Sequence, residues 1–188
     1  MALVLGVAIA LAMALQPRLK AGVEPLLVVS QTVPVVTIYP LLMIWLGYGV
    51  IPKIVVVALV CFFPIVISLV DGMESADGQL AEWMKQMGGS RWQILWKLRL
   101  PWAMPQLVSG LKVAATYSVM GAVIGEWMGA AQGLGVYINR SANSFLVDRV
   151  FAAIGVIVVL SLILYGLIEI AARLGMPWYY SNLKEEQD

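Results

Sequence analysis

Histidine is absent from the 188 residues, and cysteine occurs once, at Cys61. Without histidine there is no Ser-His-Asp triad and no histidine-liganded zinc site. A single cysteine excludes an intrachain disulfide, and its place in the apolar run VVVALVCFFPIV reads as a buried, inert thiol. Charge is scarce as well. Charged residues make up 12% of the chain and sum to +1, without the basic patch or stripe that nucleic-acid binding requires. No Gly-x-x-x-x-Gly-Lys-Ser/Thr segment occurs, so the chain has no phosphate-cradling loop of its own. ATP-driven work by this chain therefore draws on another subunit. No nucleophile-base pair and no cofactor motif is present, which argues against a membrane enzyme and leaves no cofactor expected.

What the chain does have is apolar sequence. Hydrophobic residues reach 61% and the mean hydropathy is +0.88, against an ordinary apolar share of about half in soluble domains. This predicts an all-α, polytopic helical membrane protein in contact with membrane lipid. A bilayer core takes about 20 apolar residues per helix. Five stretches come near that length, roughly 1–16 (the short one), 25–47, 50–70, 104–129 and 150–172, predicting about five transmembrane helices. Arg18 and Lys20 fall in the first loop, Lys85, Arg91, Lys97 and Arg99 in the long polar loop, and Arg173 and Lys184 near the end. Lys53, Arg140 and Arg149 lie on the other side. The positive-inside rule then puts the long loop and the C-terminus in the cytoplasm and Met1 outside.

The long loop, DGMESADGQLAEWMKQMGGSRWQILWKLRLP over 71–101, reads as two short amphipathic helices broken at Gly88-Gly89. Leu80, Trp83, Met84 and Met87 recur at i, i+3, i+4 and i+7, one helical stripe, with Asp77 placed to cap the start. Ser90 is placed to cap the second helix, in which Trp92, Leu95 and Trp96 repeat the spacing until Pro101 ends the pattern. Asp71, Glu74, Asp77 and Glu82 read as a solvated face with a helix cap in preference to a cation site, and no metal site is expected.

Glu82, Gly88 and Leu98-Arg99-Leu100-Pro101 have the spacing of a family motif: Glu-Ala-Ala, three residues, Gly, nine residues, then Ile-x-Leu-Pro. The loop resembles the EAA loop of binding-protein-dependent ABC importer permeases, with Trp83 and Met84 in place of the two alanines and Leu98 in place of isoleucine. The segment PQLVSGLKVAATYSVMGAVIGEWMGAAQGLGVYI is similar to the downstream half of that family, and the resemblance covers roughly residues 1–175 as one transmembrane domain, with 176–188 as a cytoplasmic tail. It implies that the loop is a coupling helix docking on a cytoplasmic ATPase subunit through Leu80, Glu82, Trp83, Met84, Met87, Gly88, Gly89, Leu98, Leu100 and Pro101. It also implies a second permease copy forming a homodimer, an extracytoplasmic solute-binding protein and a small-molecule solute. Members of the family usually carry a further transmembrane helix before this point. With no positive flank before the first apolar run, a missing start is expected in preference to a signal peptide.

Within the spans, Pro34, Pro40 and Pro64 sit where a missing backbone donor is costly in lipid. Such helices line a cavity or are simply kinked. Gly110, Ala114, Ala115, Ser118, Gly121, Ala122 and Gly125 form a small-residue run that permits close helix packing or a gate. Glu126, near the outer end of its span, either faces the pathway or pairs with Arg140 or Arg149; Ser118, Gly121, Gly125 and Glu126 are the pathway candidates. Glu169, one turn before Arg173, reads as an i,i+4 surface pair. GAAQGLGVYI reads as a re-entrant or loop segment, with Trp127, Tyr137 and Phe145 in an interfacial belt.

The leading expectation is a non-enzymatic ABC importer permease. An ion-coupled secondary transporter is the alternative of another class, and it requires midplane ionisable groups and an internal repeat. Within the family, ATYSVMGAVIGEWMGAAQGLG looks like permeases for the pyrimidine precursor of thiamine, with nitrate, sulfonate or taurine, and riboflavin permeases as close alternatives.

Overall fold

The computed structural model describes residues 1–179. Lys184 and most of the expected tail lie outside the described residues. Along the chain run α1 (Ala2–Leu15), α2 (Pro17–Thr32), α3 (Val35–Leu46), α4 (Val50–Glu74), α5 (Gly78–Gln86) and α6 (Arg91–Ile94). A π turn (Leu95–Arg99) leads into α7 (Leu100–Trp127), followed by α8 (Leu134–Asn143) and α9 (Val147–Gly175). No strand occurs among the described residues.

Three helical runs, Val50–Glu74, Arg91–Trp127 and Val147–Gly175, are long and apolar enough to cross a bilayer. The expected span at 25–47 is not one straight helix: α2 and α3 meet at 95°. Val33 precedes Pro34, whose ring excludes the α conformation from its predecessor, and both residues are extended (ψ 117° and 124°). Pro34 therefore sits between helices, while Pro40 and Pro64 stay inside α3 and α4. The stretch expected at 1–16 forms a shorter apolar helix of 14 residues.

The bundle is organised around α4 and α7, which run antiparallel. Close approaches mark their register from one end to the other, Gly72 against Ala103, Gly110 against Ser68, Gly121 against Val57 and Gly125 against Lys53. At Gly110 the approach leaves no room for a side chain, since a Cβ there would stand 2.6 Å from Ser68 Cβ and 2.7 Å from the Pro64 carbonyl oxygen. Gly110, Ala114, Gly121 and Gly125 are all buried, so this part of the small-residue run serves helix packing. α1 lies parallel to α4, its Ala10 and Met13 sharing a core with Val66, Leu69, Met73 and Leu95 at the loop end. Lys20 at the start of α2 reaches back to Glu74, and this ion pair brings the first turn of α2 and the end of α4 to the same end of the bundle.

α9 buries only Ala153 and Ala172 along its length. Most of its remaining apolar surface is exposed, as expected for a helix that faces lipid or another protein in the bilayer. It is tied to α7 by an ion pair between Lys112 and Glu169, by Lys112 Nζ lying 5.1 Å from the Tyr165 ring centroid, and by packing of Val108 on Ala172 and Met176.

Candidate functional site

At the loop end, α5 begins as its sequence dictates. The Asp77 carboxylate accepts from the Gln79 N–H at 2.7 Å, as the expected N-cap. The helix stops in a six-residue closing motif: the Gly89 N–H donates to the Met84 carbonyl at 2.8 Å and the Gly88 N–H to Lys85 at 3.0 Å. Gly88 takes the left-handed conformation this closure needs (φ +83°), with open space where a Cβ would be. Gly89 is constrained differently, because a Cβ there would lie 2.6 Å from the Met84 carbonyl oxygen.

The second arm opens with a complete capping box, the Ser90 hydroxyl accepting from the Gln93 N–H and the Gln93 side chain accepting from the Ser90 N–H. Pro101 does not end this arm, contrary to the expectation. Helix continues through it from Arg91 to Trp127, 37 residues. At about 1.5 Å per residue this is about 55 Å, well beyond the thickness of a bilayer core, about 30 Å. Pro101 has no N–H and its ring crowds the preceding turn. The chain answers with the wider π turn, in which the Leu100 N–H donates to the Leu95 carbonyl.

The expected stripe is exposed: Leu80 by 38%, Trp83 by 58% and Met87 by 80%, with Met84 half-buried. Glu82 is exposed and its carboxylate lies 3.5 Å from Lys85 Nζ. On the second arm Ile94 and Leu95 turn into the core, while Trp92 and Trp96 stack outside it with ring centroids 6.5 Å apart. Leu98 and Leu100 are half-buried and Pro101 exposed; Leu98 and Pro101 line a cleft of about 650 Å³ with Lys97, Trp102 and Trp178. The acidic residues go separate ways. Glu74 binds Lys20, Asp77 caps α5, Glu82 pairs with Lys85, and the Asp71 side chain is exposed.

At the opposite end, Gly121 and Gly125 pack on α4, Ser118 is half-buried with its hydroxyl donating to the Ala115 carbonyl at 2.7 Å, and Glu126 ends α7 half-buried. Glu126 does not pair with Arg140 or Arg149 among the described residues; its carboxylate accepts from the Gly135 N–H at 2.7 Å. It also lines a groove of about 470 Å³ with Lys53, Ile54, Val57 and Cys61. Trp127, Tyr137 and Phe145 are all exposed at this level, as an interfacial belt requires. The segment expected as loop is looped only as far as Gly133. From Leu134 it forms α8, whose Gly135, Ile138 and Ser141 are buried; the i, i+3, i+4, i+7 spacing of Leu134, Tyr137, Ile138 and Ser141 was the available signal.

Glu169 pairs with Arg173 at 2.7 Å, as its spacing predicted. Its second partner, Lys112, escaped the sequence reading because the pair spans two helices far apart in the chain.

Three membrane-length helices, two of them packed through small residues, with an amphipathic two-helix loop at one end, define a multi-pass helical membrane protein. Comparison with known sequences gives the family. The chain belongs to the binding-protein-dependent transport system inner membrane component family, whose profile matches residues 2–174. It is 35% identical over 178 residues to the formylaminopyrimidine transport permease protein ThiX of Halalkalibacterium halodurans, covering 95% of this chain and 71% of that protein. It is 38% identical over 160 residues to a probable ABC transporter permease protein of Haemophilus influenzae, covering 85% and 65%. It is 34% identical over 160 residues to the riboflavin transport system permease protein RibX of Chloroflexus aurantiacus, covering 85% and 60%. The chain thus spans about two thirds of the length of these relatives.

Proposed function

We propose that the chain is the membrane-spanning permease subunit of an ABC importer, moving a small solute inward by alternating access while a separate ATPase subunit supplies the energy. The observation that carries this reading is the apolar stripe of α5. Trp83 and Met87 stand exposed on a helix outside the bundle, where they need a protein groove to cover them. The second arm is continuous with α7, so a displacement of the loop by its partner is delivered to the span packed on α4. On this reading Leu80, Glu82, Trp83, Met84 and Met87 face the ATPase, Gly88 and Gly89 form the corner, and Leu98, Leu100 and Pro101 join the corner to the span. The loop end, with the C-terminus, faces the cytoplasm, and the Glu126 end faces a solute-binding protein. A second copy of the chain completes the pathway, whose outer part is lined by the groove bearing Lys53 and Glu126, with Ser118, Gly121 and Gly125 holding α7 beside it.

The solute we propose is a formylaminopyrimidine or a similar small heterocycle. The support is the 35% identity, across 95% of this chain, to a formylaminopyrimidine permease; riboflavin and nitrate, taurine or another sulfonate are the alternatives within the family. The test is affinity purification in mild detergent, then reconstitution with the co-purifying ATPase and the binding protein. Uptake of labelled formylaminopyrimidine that needs ATP and the binding protein is expected. Absence of any ATPase from the purified complex overturns the importer reading, and uptake of riboflavin alone overturns the solute.

A further inference from the structure

The joint between α7 and α8 gives Glu126 a task of its own. A helix N-terminus leaves backbone donors without partners and carries the positive end of the helix dipole. The N-cap residue of α8 is Gly133, which has no side chain to offer as acceptor. The acceptor comes from another helix: Glu126 Oε2 takes the Gly135 N–H at 2.7 Å. Two glycines make room at the joint, Gly133 for the carboxylate and Gly135 for the end of α7. A Cβ on Gly133 would overlap the carboxylate itself, and the φ of +139° there is one that other residues rarely adopt. A Cβ on Gly135 would strike the Val123 carbonyl and stand 3.0 Å from Glu126 Cβ and 3.1 Å from Trp127 Cδ1. The rest of α8 holds to the bundle through Ile138 and Ser141, with α8 lying against both α7 and α9.

We propose that Glu126 is a positioning residue: its carboxylate caps the N-terminus of α8 and latches that helix to the end of α7, so that the corner moves as one body. Its use in transport rests on the importer reading, under which this corner faces the binding protein. The latch itself does not.

Hydrogen exchange of the peptides covering 128–143 tests it, measured on the complete transporter in nanodiscs without solute or nucleotide. Glu126→Ala should raise exchange in the first turn of α8 about tenfold or more, the loss expected for a hydrogen bond to a charged group. Glu126→Gln keeps an acceptor oxygen and should restore much of the protection. Gly135→Ala, whose Cβ would strike the Val123 carbonyl of α7, parts the two helices by another route and should raise the same exchange at least as much. Unchanged exchange in Glu126→Ala overturns the latch. If Glu126→Ala does not assemble, Glu126→Gln and Gly135→Ala carry the same comparison. Uptake separates the alternatives: a carboxylate acting on solute through its charge leaves Gln as poor as Ala while exchange stays normal, which overturns positioning and leaves the importer reading standing.

Discussion

Replacing Gly88 should uncouple transport, and the structure sets the size of the effect. Gly88 holds φ +83° with nothing within 4 Å of a Cβ, so the penalty of a side chain there is conformational alone. Left-handed backbone costs an L-residue about 1–2 kcal/mol, and a β-branched residue more. If the backbone relaxes instead, it gives up the Gly89-to-Met84 and Gly88-to-Lys85 hydrogen bonds, about 1 kcal/mol each. Holding the conformation leaves the corner strained, and relaxing it re-aims α5 relative to the second arm; a β-branched residue, for which left-handed backbone is an outlier, favours the second route. Gly88→Val should therefore insert and assemble yet fail to stimulate ATP hydrolysis or move solute. Gly88→Asn, which tolerates the left-handed region, should retain most activity. Binding-protein-stimulated ATPase activity and solute uptake in proteoliposomes are the readouts. Full transport by Gly88→Val, or equal failure of Gly88→Asn, refutes the reasoning.

Cysteines placed at Trp83 and Met87 should cross-link to the ATPase subunit, whereas cysteines at the buried Ile94 and Leu95 should not; absence of the first cross-links argues against the coupling role. Purified without partners, the chain should form a homodimer that neither binds nor hydrolyses ATP, and hydrolysis by a preparation free of other subunits contradicts the reading. Lys112→Ala removes one partner of a largely shielded ion pair between α7 and α9, so it should lower thermal stability by about 1–3 kcal/mol. A smaller loss is expected for Arg173→Ala, which is exposed, and equal losses would count against the tie between helices.

Much of the loop was legible beforehand because its determinants are local. Asp77 and Ser90 cap the turns they precede, and Gly88-Gly89 closes α5 through bonds no more than five residues apart. The Leu80–Met87 stripe follows from helical spacing alone. Pro101 was misread for a related reason: proline breaks an unconstrained helix, but Leu95 is buried in the core and α7 is packed along α4, so a π turn costs less than ending the helix. At 25–47 hydropathy predicted a span and missed the 95° bend, since an average over the stretch does not register Pro34 acting on its predecessor.

The sequence by itself determined membrane residence, the helical class and the two-armed loop, which depend on composition or on neighbours within a few residues, and its resemblance to known permeases pointed to the family. Only the tertiary structure decided what the polar groups inside the spans do. Lys112 meets Glu169 across 57 positions of chain, and Glu126, whose sequence left it facing a pathway or pairing with Arg140 or Arg149, accepts from the backbone of α8. The physical reason is that a charge near hydrocarbon takes whichever partner the packing brings within reach, and α4, α7, α8 and α9 settle that packing through close contacts between residues distant in sequence.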